Sequence, residues 1–438
     1  MIRIEDKAKC CGCGACAARC PKSCIRLVPD QEGFLYPEVD MTACVDCGRC
    51  EDVCPELNDS APRKPLRALA AVCQDEALRL QSSSGGIFSL LAEAVLARGG
   101  VVFGARFDEQ WQVVIDHTET LEGLAAFRGS KYVQAKVGRA YADCAAFLKA
   151  GREVLFTGTP CQIAGLKGLL GCDYPNLTLV DVACVGVPSP GVWADYLRCE
   201  SLAALPGAPA EAALAALREV RFRDKSKGWK DSCMVLRWAA DVQTASSAAD
   251  AQTVPAAAGE NLDGWVEHSA PRYKNPFFQA LNTGLIARPS CYACQLKGEG
   301  RSGSDLTLAD CWGVEQLLPA TTGQPDAEAA RARLCDDKGS SLVIVRSSRG
   351  EALLQSLPMT VLDCDYEAAV RLNAGLRVSV PSSHRPPHAG LRAGAPSSTA
   401  REAFFKAYQA APTQVSALLK KAVTPPLYQK ILNKLRSL

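Results

Sequence analysis

Apolar and polar positions divide most of the chain into two kinds of segment. Short apolar runs between polar or glycine-containing turns predict buried β-strands, and they occur at residues 66–73, 153–158, 177–183 and 341–346. Other segments have the apolar spacing of helices, and they occur at residues 87–98, 141–149 and 160–170. Strands that alternate with helices predict an α/β domain whose parallel strands end at one edge of a sheet.

Weaker patterns fill the intervals between these segments. Further extended segments are predicted at residues 101–107, 111–117, 220–225, 234–238 and 306–310, and a further helix at residues 275–285. Near the N-terminus, two short strands at residues 25–29 and 33–40 predict a hairpin. Residues 239–259 are rich in alanine, serine and aspartate with little periodicity, which predicts a flexible surface insertion.

Changes in composition along the chain predict four parts. Residues 1–60 form a small cysteine-rich module, which a polar, proline-containing linker separates from the rest of the chain. Residues 66–150 and 151–380 are predicted to be the two parts of the α/β domain. Residues 381–438 begin with proline and serine and continue as a basic helical tail, with seven lysines and arginines against one acid from residue 401 onward.

The overall composition restricts the class of protein. A chain of 438 residues predicts two or three domains, and 48% hydrophobic with 22% charged residues is typical of a soluble globular protein. A net charge of +2 gives no reason to expect nucleic acid as a partner. The 22 clustered cysteines indicate metal binding in a reducing compartment. The first residues lack a signal-peptide core and no transmembrane segment is predicted, so we expect a cytoplasmic protein.

Two copies of one cysteine pattern stand in the N-terminal module. Each copy has the spacing C-x2-C-x2-C-x3-C-P, which is that of bacterial two-cluster ferredoxins, where the fourth cysteine of each run binds the other [4Fe–4S] cluster. Zinc sites and disulfides do not use a three-cysteine run closed by Cys-Pro and repeated. The predicted ligand sets are therefore Cys10, Cys13, Cys16 and Cys54 for one cluster, and Cys44, Cys47, Cys50 and Cys20 for the other. Cys11 and Cys24 lie outside the pattern and are predicted to be small buried side chains.

A third metal site is predicted from cysteines farther along the chain. Cys291 and Cys294 form a C-x-x-C pair that needs two more ligands, and Cys161 and Cys184 each follow a predicted buried strand. Four thiolates there would hold a third [4Fe–4S] cluster, or a zinc ion with the same ligands. Cys311 is a possible substitute ligand. Because Cys161 lies in the first turn of a predicted helix, we also expect its thiolate to be favoured.

Several short motifs together resemble the coenzyme F-420 hydrogenase/dehydrogenase beta subunit family, in the form with a ferredoxin module in front. The resemblance covers about residues 66–405. The stretches that carry it are Ser83-Ser-Gly-Gly, Phe127-Arg-Gly-Ser-Lys-Tyr, Gly158-Thr-Pro-Cys-Gln, Cys184-x-Gly-Val-Pro-Ser, Phe222-Arg-Asp-Lys with Gly228-Trp229, Arg288-Pro-Ser-Cys-x-x-Cys and Ala309-Asp-x-Trp-Gly. The chain departs from the pattern at Cys311, where such proteins commonly carry an aromatic residue.

This resemblance implies an iron–sulfur flavoprotein, with an α+β ferredoxin-like module followed by an α/β flavin- and cluster-binding domain. It implies FAD beside a cluster held by Cys161, Cys184, Cys291 and Cys294. In this interpretation Lys131 is the predicted catalytic residue, whose positive charge near the flavin or substrate would stabilise an anionic reduced ring, and the alternative is a salt-bridged surface lysine. The residues that would line the flavin are Ser84, Gly85, Gly86, Gly129, Ser130, Lys131, Thr159 and Pro160.

The implied function is electron transfer between the ferredoxin-type clusters and FAD, with hydride exchange to an organic substrate. That substrate would be an F-420-like deazaflavin or another conjugated small molecule. The expected partners are a ferredoxin or another redox protein. The alternative is a non-catalytic electron-transfer subunit that serves a partner enzyme, with the basic tail as a docking element for that partner or for a membrane surface.

Overall fold

The computed structural model describes residues 1–58, 60–240, 264–319, 325–377 and 398–423. Almost all of the predicted insertion at 239–259, and residues 381–397 and 424–438 of the predicted tail, lie outside these ranges. The N-terminal module contains an antiparallel hairpin of β1 (Ile25–Pro29) and β2 (Leu35–Val39), which confirms the predicted hairpin. Two short helices, α1 (Ala15–Arg19) and α2 (Arg49–Asp52), each lie within one of the cysteine runs.

An eight-stranded mixed sheet forms the centre of the rest of the chain. Its strand order is β13-β3-β12-β11-β7-β6-β4-β5. The strands are β3 (Arg67–Cys73), β4 (Val101–Phe107), β5 (Val113–Thr118), β6 (Val154–Gly158), β7 (Leu177–Val182), β11 (Leu306–Asp310), β12 (Ser341–Val345) and β13 (Met359–Asp363). They include members from both predicted parts of the domain, so a single sheet crosses the boundary near residue 150.

Only the middle of this sheet is parallel. Strands β4, β6, β7 and β11 are parallel neighbours, whereas β12 runs antiparallel to both β11 and β3. Because β12 is antiparallel to both of its neighbours, β3 runs in the same direction as the parallel strands β4, β6, β7 and β11. The carboxyl ends of these five strands therefore lie along one edge of the sheet, and the loops after them can share a site there.

The sheet is buried on both faces, as its apolar strands predict. Phe103 and Phe156 point into one apolar core, and the adjacent residues Val102 and Leu155 point into another. The helices that connect its strands are α3 (Glu76–Gln81), α4 (Ile87–Ala97), α5 (Leu121–Leu124), α6 (Ala140–Lys149), α7 (Pro160–Leu170), α11 (Val314–Leu317), α12 (Pro325–Leu334) and α13 (Ser348–Leu354), and α14 (Tyr366–Leu372) follows the last strand.

The part of the chain between β7 and β11 forms a second, smaller sheet. It is antiparallel and consists of β8 (Leu217–Asp224), β9 (Cys233–Ala239) and β10 (Trp265–Pro271), in the order β10-β9-β8. Helices α8 (Pro190–Ala204), α9 (Ala210–Ala215), α10 (Pro276–Thr283), α15 (Ser398–Ala410) and α16 (Val415–Val423) lie in the same half of the molecule. None of the helices in the described ranges is long and apolar enough to span a membrane.

The N-terminal module shares a core with the rest of the molecule. Phe34 of its hairpin is fully buried among residues of the main apolar core. At Gly33, a Cβ atom would lie 2.6 Å from the backbone of Gly191 at the start of α8, so only glycine allows this approach. From the other end of the chain, Arg401 on α15 forms a bidentate ion pair with Glu32. The module is thus held against the body from two directions.

Candidate metal centres

Two cavities lie inside the N-terminal module, and each is lined by four of the predicted ligand cysteines. The first is lined by Cys20, Cys44, Cys47 and Cys50, and the second by Cys10, Cys13, Cys16 and Cys54. The fourth cysteine of each run therefore lies beside the other run, as the ferredoxin-type exchange requires. We call the first space the outer cavity and the second the inner cavity.

The two cavities differ in their access to solvent. Cys47, at the outer cavity, is exposed, and so are the nearby side chains of Met41 and Val45. At the inner cavity, Cys10 and Cys13 are buried against the body of the molecule. Cys50 at the outer cavity is buried as well, so the difference rests on Cys47, which alone among the eight predicted ligands is exposed.

A second group of four thiols lies where the parallel strands end. Cys161 is in the first turn of α7 after β6, and Cys184 follows the neighbouring strand β7. Cys291 and Cys294 come from the short 3-10 turn Pro289–Ala293 and the residue after it. All six pairs among these four thiols interact electrostatically. The structure thus brings together the four residues predicted for the third site.

Burial disfavours the thiolate form throughout this group. It raises the pKa of Cys184 to about 12, and it also raises the pKa values of Cys291 and Cys294. For Cys161, a hydrogen bond with Cys11 and burial raise the pKa well above its usual value. Both effects oppose the predicted influence of the helix start on the Cys161 thiolate. The buried ammonium of Lys297, which the sequence analysis missed, acts in the opposite direction on Cys184 and Cys294.

Cys11 connects the two groups of cysteines. Its buried thiol is close enough to Cys13 at the inner cavity and to Cys161 of the second group for each of them to influence its pKa. The sequence analysis predicted only a small buried side chain here, and the burial is confirmed. The available signal was the Cys10-Cys11 doublet, which places an additional thiol at the edge of a predicted cluster.

Two other cysteines have different surroundings. Cys24 lines the outer cavity, and its sulfur lies 3.3 Å from the sulfur of Cys20. Cys311, the possible substitute ligand, is fully buried in an apolar core with Val314 and Leu317. After burial, the largest influence on the pKa of Cys311 comes from Cys364, which is not one of the four predicted ligands.

The loops predicted to line a flavin meet at the same edge of the sheet. The backbone N–H of Ser130 donates to Ser83 Oγ at 2.7 Å, which joins the Gly129 loop to the loop before α4. Helix α4 begins after Gly86 without a side-chain cap, so its first N–H groups are available to an anion. Thr159 and Pro160 lie at the start of α7, where Thr159 Oγ1 is 3.2 Å from Cys161 Sγ.

Several of these predicted flavin residues also have structural partners. Ser84 Oγ donates to the carbonyl of Ser340, and a Cβ atom at Gly85 would collide with β3. Lys131 donates to the carbonyls of Ala126 and Arg128, each at 2.8 Å. Desolvation nevertheless lowers the pKa of Lys131 to about 7.

A cation and two tryptophans next to these loops were not predicted as site residues. Trp229 and Trp312 stack with ring centres 4.6 Å apart, and the Arg223 guanidinium lies 5.5 Å from the Trp312 ring. Arg223 Nη1 donates to Asp310 at 2.7 Å and to the Tyr132 hydroxyl at 3.2 Å. The motifs Phe222-Arg-Asp-Lys and Ala309-Asp-x-Trp-Gly therefore meet in space and hold the loop that contains Lys131.

The titration of Lys131 gives a testable prediction. Because its folded-state pKa lies below the usual value of 10.5, the free energy of unfolding should rise with pH between about 7 and 10.5 through this residue. Lys131→Met lacks that contribution. The stability of the variant relative to the unaltered protein should therefore decrease across the same range, as measured by urea unfolding. Exposed Lys149→Met is the control, and equal slopes for the two variants would contradict the prediction.

Comparisons with known proteins agree with these observations for the N-terminal module. Residues 9–57 match the family described as a 4Fe-4S dicluster domain. NADH-quinone oxidoreductase subunit I 2 of Geobacter metallireducens is 43% identical over 56 residues, which are 12% of this chain and 43% of that protein. The module is therefore a [4Fe–4S]-binding domain of the electron-transfer type.

Two further comparisons extend beyond the module. An uncharacterized protein of Methanocaldococcus jannaschii is 28% identical over 204 residues, which are 39% of this chain and 55% of that protein. The chain thus spans about half the length of the curated relatives it matches. A solved chain of the F420-reducing [NiFe] hydrogenase complex from Methanosarcina barkeri aligns with a TM-score of 0.39 and 14% identity, over 83% of this chain and 90% of that one.

Proposed function

We propose that this chain is an iron–sulfur flavoprotein oxidoreductase that passes electrons between [4Fe–4S] clusters and FAD and exchanges hydride with an organic substrate. One observation carries the proposal. Two cavities are lined by four predicted ligand cysteines each, and Cys11 lines the inner cavity while lying close enough to Cys161 of the third group to influence its pKa. Several neighbouring one-electron sites are useful where electrons are delivered to a buried acceptor.

The cysteines present fit three [4Fe–4S] clusters. Such a cluster takes one thiolate for each of its four irons, and each of the three groups has four cysteines. The inner cluster would take the set beginning with Cys10, the outer cluster the set beginning with Cys44, and the third cluster the set beginning with Cys161. A bound metal would also let the buried thiols at the third site release their protons, because the positive charge of the metal replaces that of the protons.

FAD is included in the proposal for two reasons, which are the motifs that resemble the beta subunit family and the shape of the loops. The uncapped start of α4, next to Ser84, Gly86 and the Gly129–Lys131 loop, suits a phosphate group. When bound, FAD would supply the two-electron hydride chemistry that one-electron clusters lack. Lys131 would add positive charge at this edge of the sheet. The substrate class is an F-420-like deazaflavin or another conjugated small molecule.

Metal analysis tests the three-cluster proposal directly. After anaerobic reconstitution, we expect about twelve iron atoms per chain, which corresponds to three four-iron clusters. Cys291→Ser should lower this to about eight and leave the spectra of the ferredoxin-type clusters unchanged. Zinc that copurifies in a one-to-one ratio, together with about eight irons, would contradict the third cluster and support a structural zinc ion.

A second candidate function is a non-catalytic electron-transfer subunit. It is favoured by the exposed apolar side chains of Met41 and Val45 beside exposed Cys47, since a redox partner could dock there. The reconstituted protein, reduced with dithionite, can be assayed against a panel of deazaflavin, nicotinamide and quinone acceptors. Turnover without a partner protein supports the enzyme. Clusters that become reduced while every soluble acceptor remains unreacted support the subunit.

A further inference from the structure

Arg288 is a buried cation between the N-terminal module and the body of the molecule. Its side chain is fully buried. Nε donates to the carbonyl of Cys10 at 2.7 Å, and Nη2 donates to the carbonyl of Leu35 at 2.9 Å and to Cys10 Sγ at 3.4 Å. Nη1 donates to Gln134 Oε1 at 3.0 Å. One side chain of the body thus bonds directly to a predicted ligand sulfur of the inner cavity.

The aromatic residues of the hairpin complete the surroundings of this guanidinium. It lies 4.1 Å from the ring centre of Tyr36 and 5.5 Å from that of Phe34. Gly12 leaves room for it, because a Cβ atom there would lie 2.8 Å from the guanidinium. Its position is therefore tightly restricted.

The charge of Arg288 has no carboxylate partner within ion-pair distance among the described residues. Its hydrogen-bond acceptors are two carbonyls, an amide and a cysteine sulfur. Glu56 is close enough for Arg288 to influence its pKa, but it forms no ion pair with Arg288. Buried charges are normally paired. Cysteine thiolates of a cluster in the inner cavity would supply the missing negative charge.

Among the described residues, the outer cavity has no buried cation equivalent to Arg288, because Lys22, which lines this cavity, has an exposed side chain. The backbone N–H of Ile2 donates to Cys50 Sγ at 3.2 Å, and no lysine or arginine side chain of the described ranges donates to the outer ligand sulfurs. The nearby N-terminal ammonium group of Met1 is paired with Asp46 and Glu51, each at 3.0 Å. The two sites therefore share a ligand type but differ by one buried positive charge.

We propose that Arg288 holds the reduction potential of the inner cluster above that of the outer cluster. This inference rests on the proposed function. Reduction adds one negative charge to a cluster, and a cation hydrogen-bonded to a ligand sulfur stabilises the added charge. Electrons that reach the module would then collect at the inner cluster, beside Cys11 and Cys161. Arg288 also lies three residues before Cys291, so the same loop would tune the inner cluster and provide a ligand of the third site.

Redox titration monitored by EPR spectroscopy tests the proposal on the full reconstituted chain. In Arg288→Gln, we expect the reduction equilibrium of the inner cluster to become at least about tenfold less favourable, which is a shift of about 59 mV to lower potential for a one-electron couple. Arg288→Lys keeps the charge and should give a smaller shift. The outer cluster in the same sample is the internal control and should keep its potential.

Gln134→Glu provides a variant in which Arg288 is unchanged. A carboxylate at this position would pair with Nη1 and offset the charge, so the inner potential should fall here too. An unchanged inner potential in both Arg288→Gln and Gln134→Glu overturns the proposal. Loss of the inner cluster in all three variants also overturns it, because Arg288 would then build the site rather than tune it. Two clusters in the unaltered module, established first by iron content, separate either failure from failure of the proposed function.

Discussion

Replacing Cys20 by serine is expected to remove the outer cluster and spare the inner one, although Cys20 belongs to the first cysteine run. The reason is the crossed arrangement, in which Cys20 lines the cavity of Cys44, Cys47 and Cys50. Iron should fall from about twelve to about eight atoms per chain. EPR spectra of the reduced protein should lose the signal of the solvent-exposed cluster.

The neighbouring thiol of Cys24 makes a control necessary for this experiment. Its sulfur is 3.3 Å from that of Cys20 and lines the same cavity, so it could take over as a ligand. Cys24→Ser alone should retain both clusters. If Cys20→Ser retains the outer cluster and the double variant loses it, Cys24 is the substitute. Cys54→Ser is the mirror experiment and should remove the inner cluster. Loss of the inner cluster in Cys20→Ser would contradict the crossed arrangement.

Arg79→Met should destabilise the body of the molecule. The guanidinium is fully buried and bonds to both carboxylate oxygens of Asp336, at 2.8 and 2.6 Å, and to the carbonyl of Gly339 at 2.9 Å. Removing it leaves the buried Gly339 carbonyl without its donor, whereas the exposed Asp336 can be hydrated again. We expect the free energy of unfolding to fall by about 1–3 kcal/mol. Chemical denaturation measures the change.

Arg98→Met is the matched control for this variant. Arg98 also forms a two-bonded ion pair, with Glu153, but its side chain is 47% exposed, and we expect a loss of only about 0–1 kcal/mol. Similar losses in the two variants would show that burial does not determine how much these ion pairs contribute to the free energy of unfolding. Because Arg79 lies just before the Ser83–Gly86 turn, a large loss in Arg79→Met should also expose that turn to proteolysis.

Local spacing made much of the fold predictable. The strand at Arg67–Cys73 and the helix at Pro160–Leu170 are continuous segments with a single period, and the structure confirms both. Helix α8 was missed, although Ser189 before Pro190 is a recognisable cap for a helix. Strand β10 was missed because its half-exposed side chains form no apolar run, and its pairing with β9 defines it.

In the candidate site, too, some features could be predicted from the sequence and others could not. The cysteine runs were evident because their chemistry lies in the spacing itself. The contact of Arg288 with Cys10 joins residues 278 positions apart, and that of Gln134 with Cys11 joins residues 123 positions apart. Neither contact leaves a local pattern in the sequence. The proximity of Cys11 to Cys161 likewise arises only when the module is placed against α7.

The ion pair between Glu32 and Arg401 has a consequence for how the protein is made. The two residues are 369 positions apart, and synthesis at 5–20 residues per second separates their appearance by roughly 20–75 s. The N-terminal module is therefore synthesised well before the helix that forms this ion pair with it. If clusters are inserted during synthesis, they would enter the module before helix α15 can close against it.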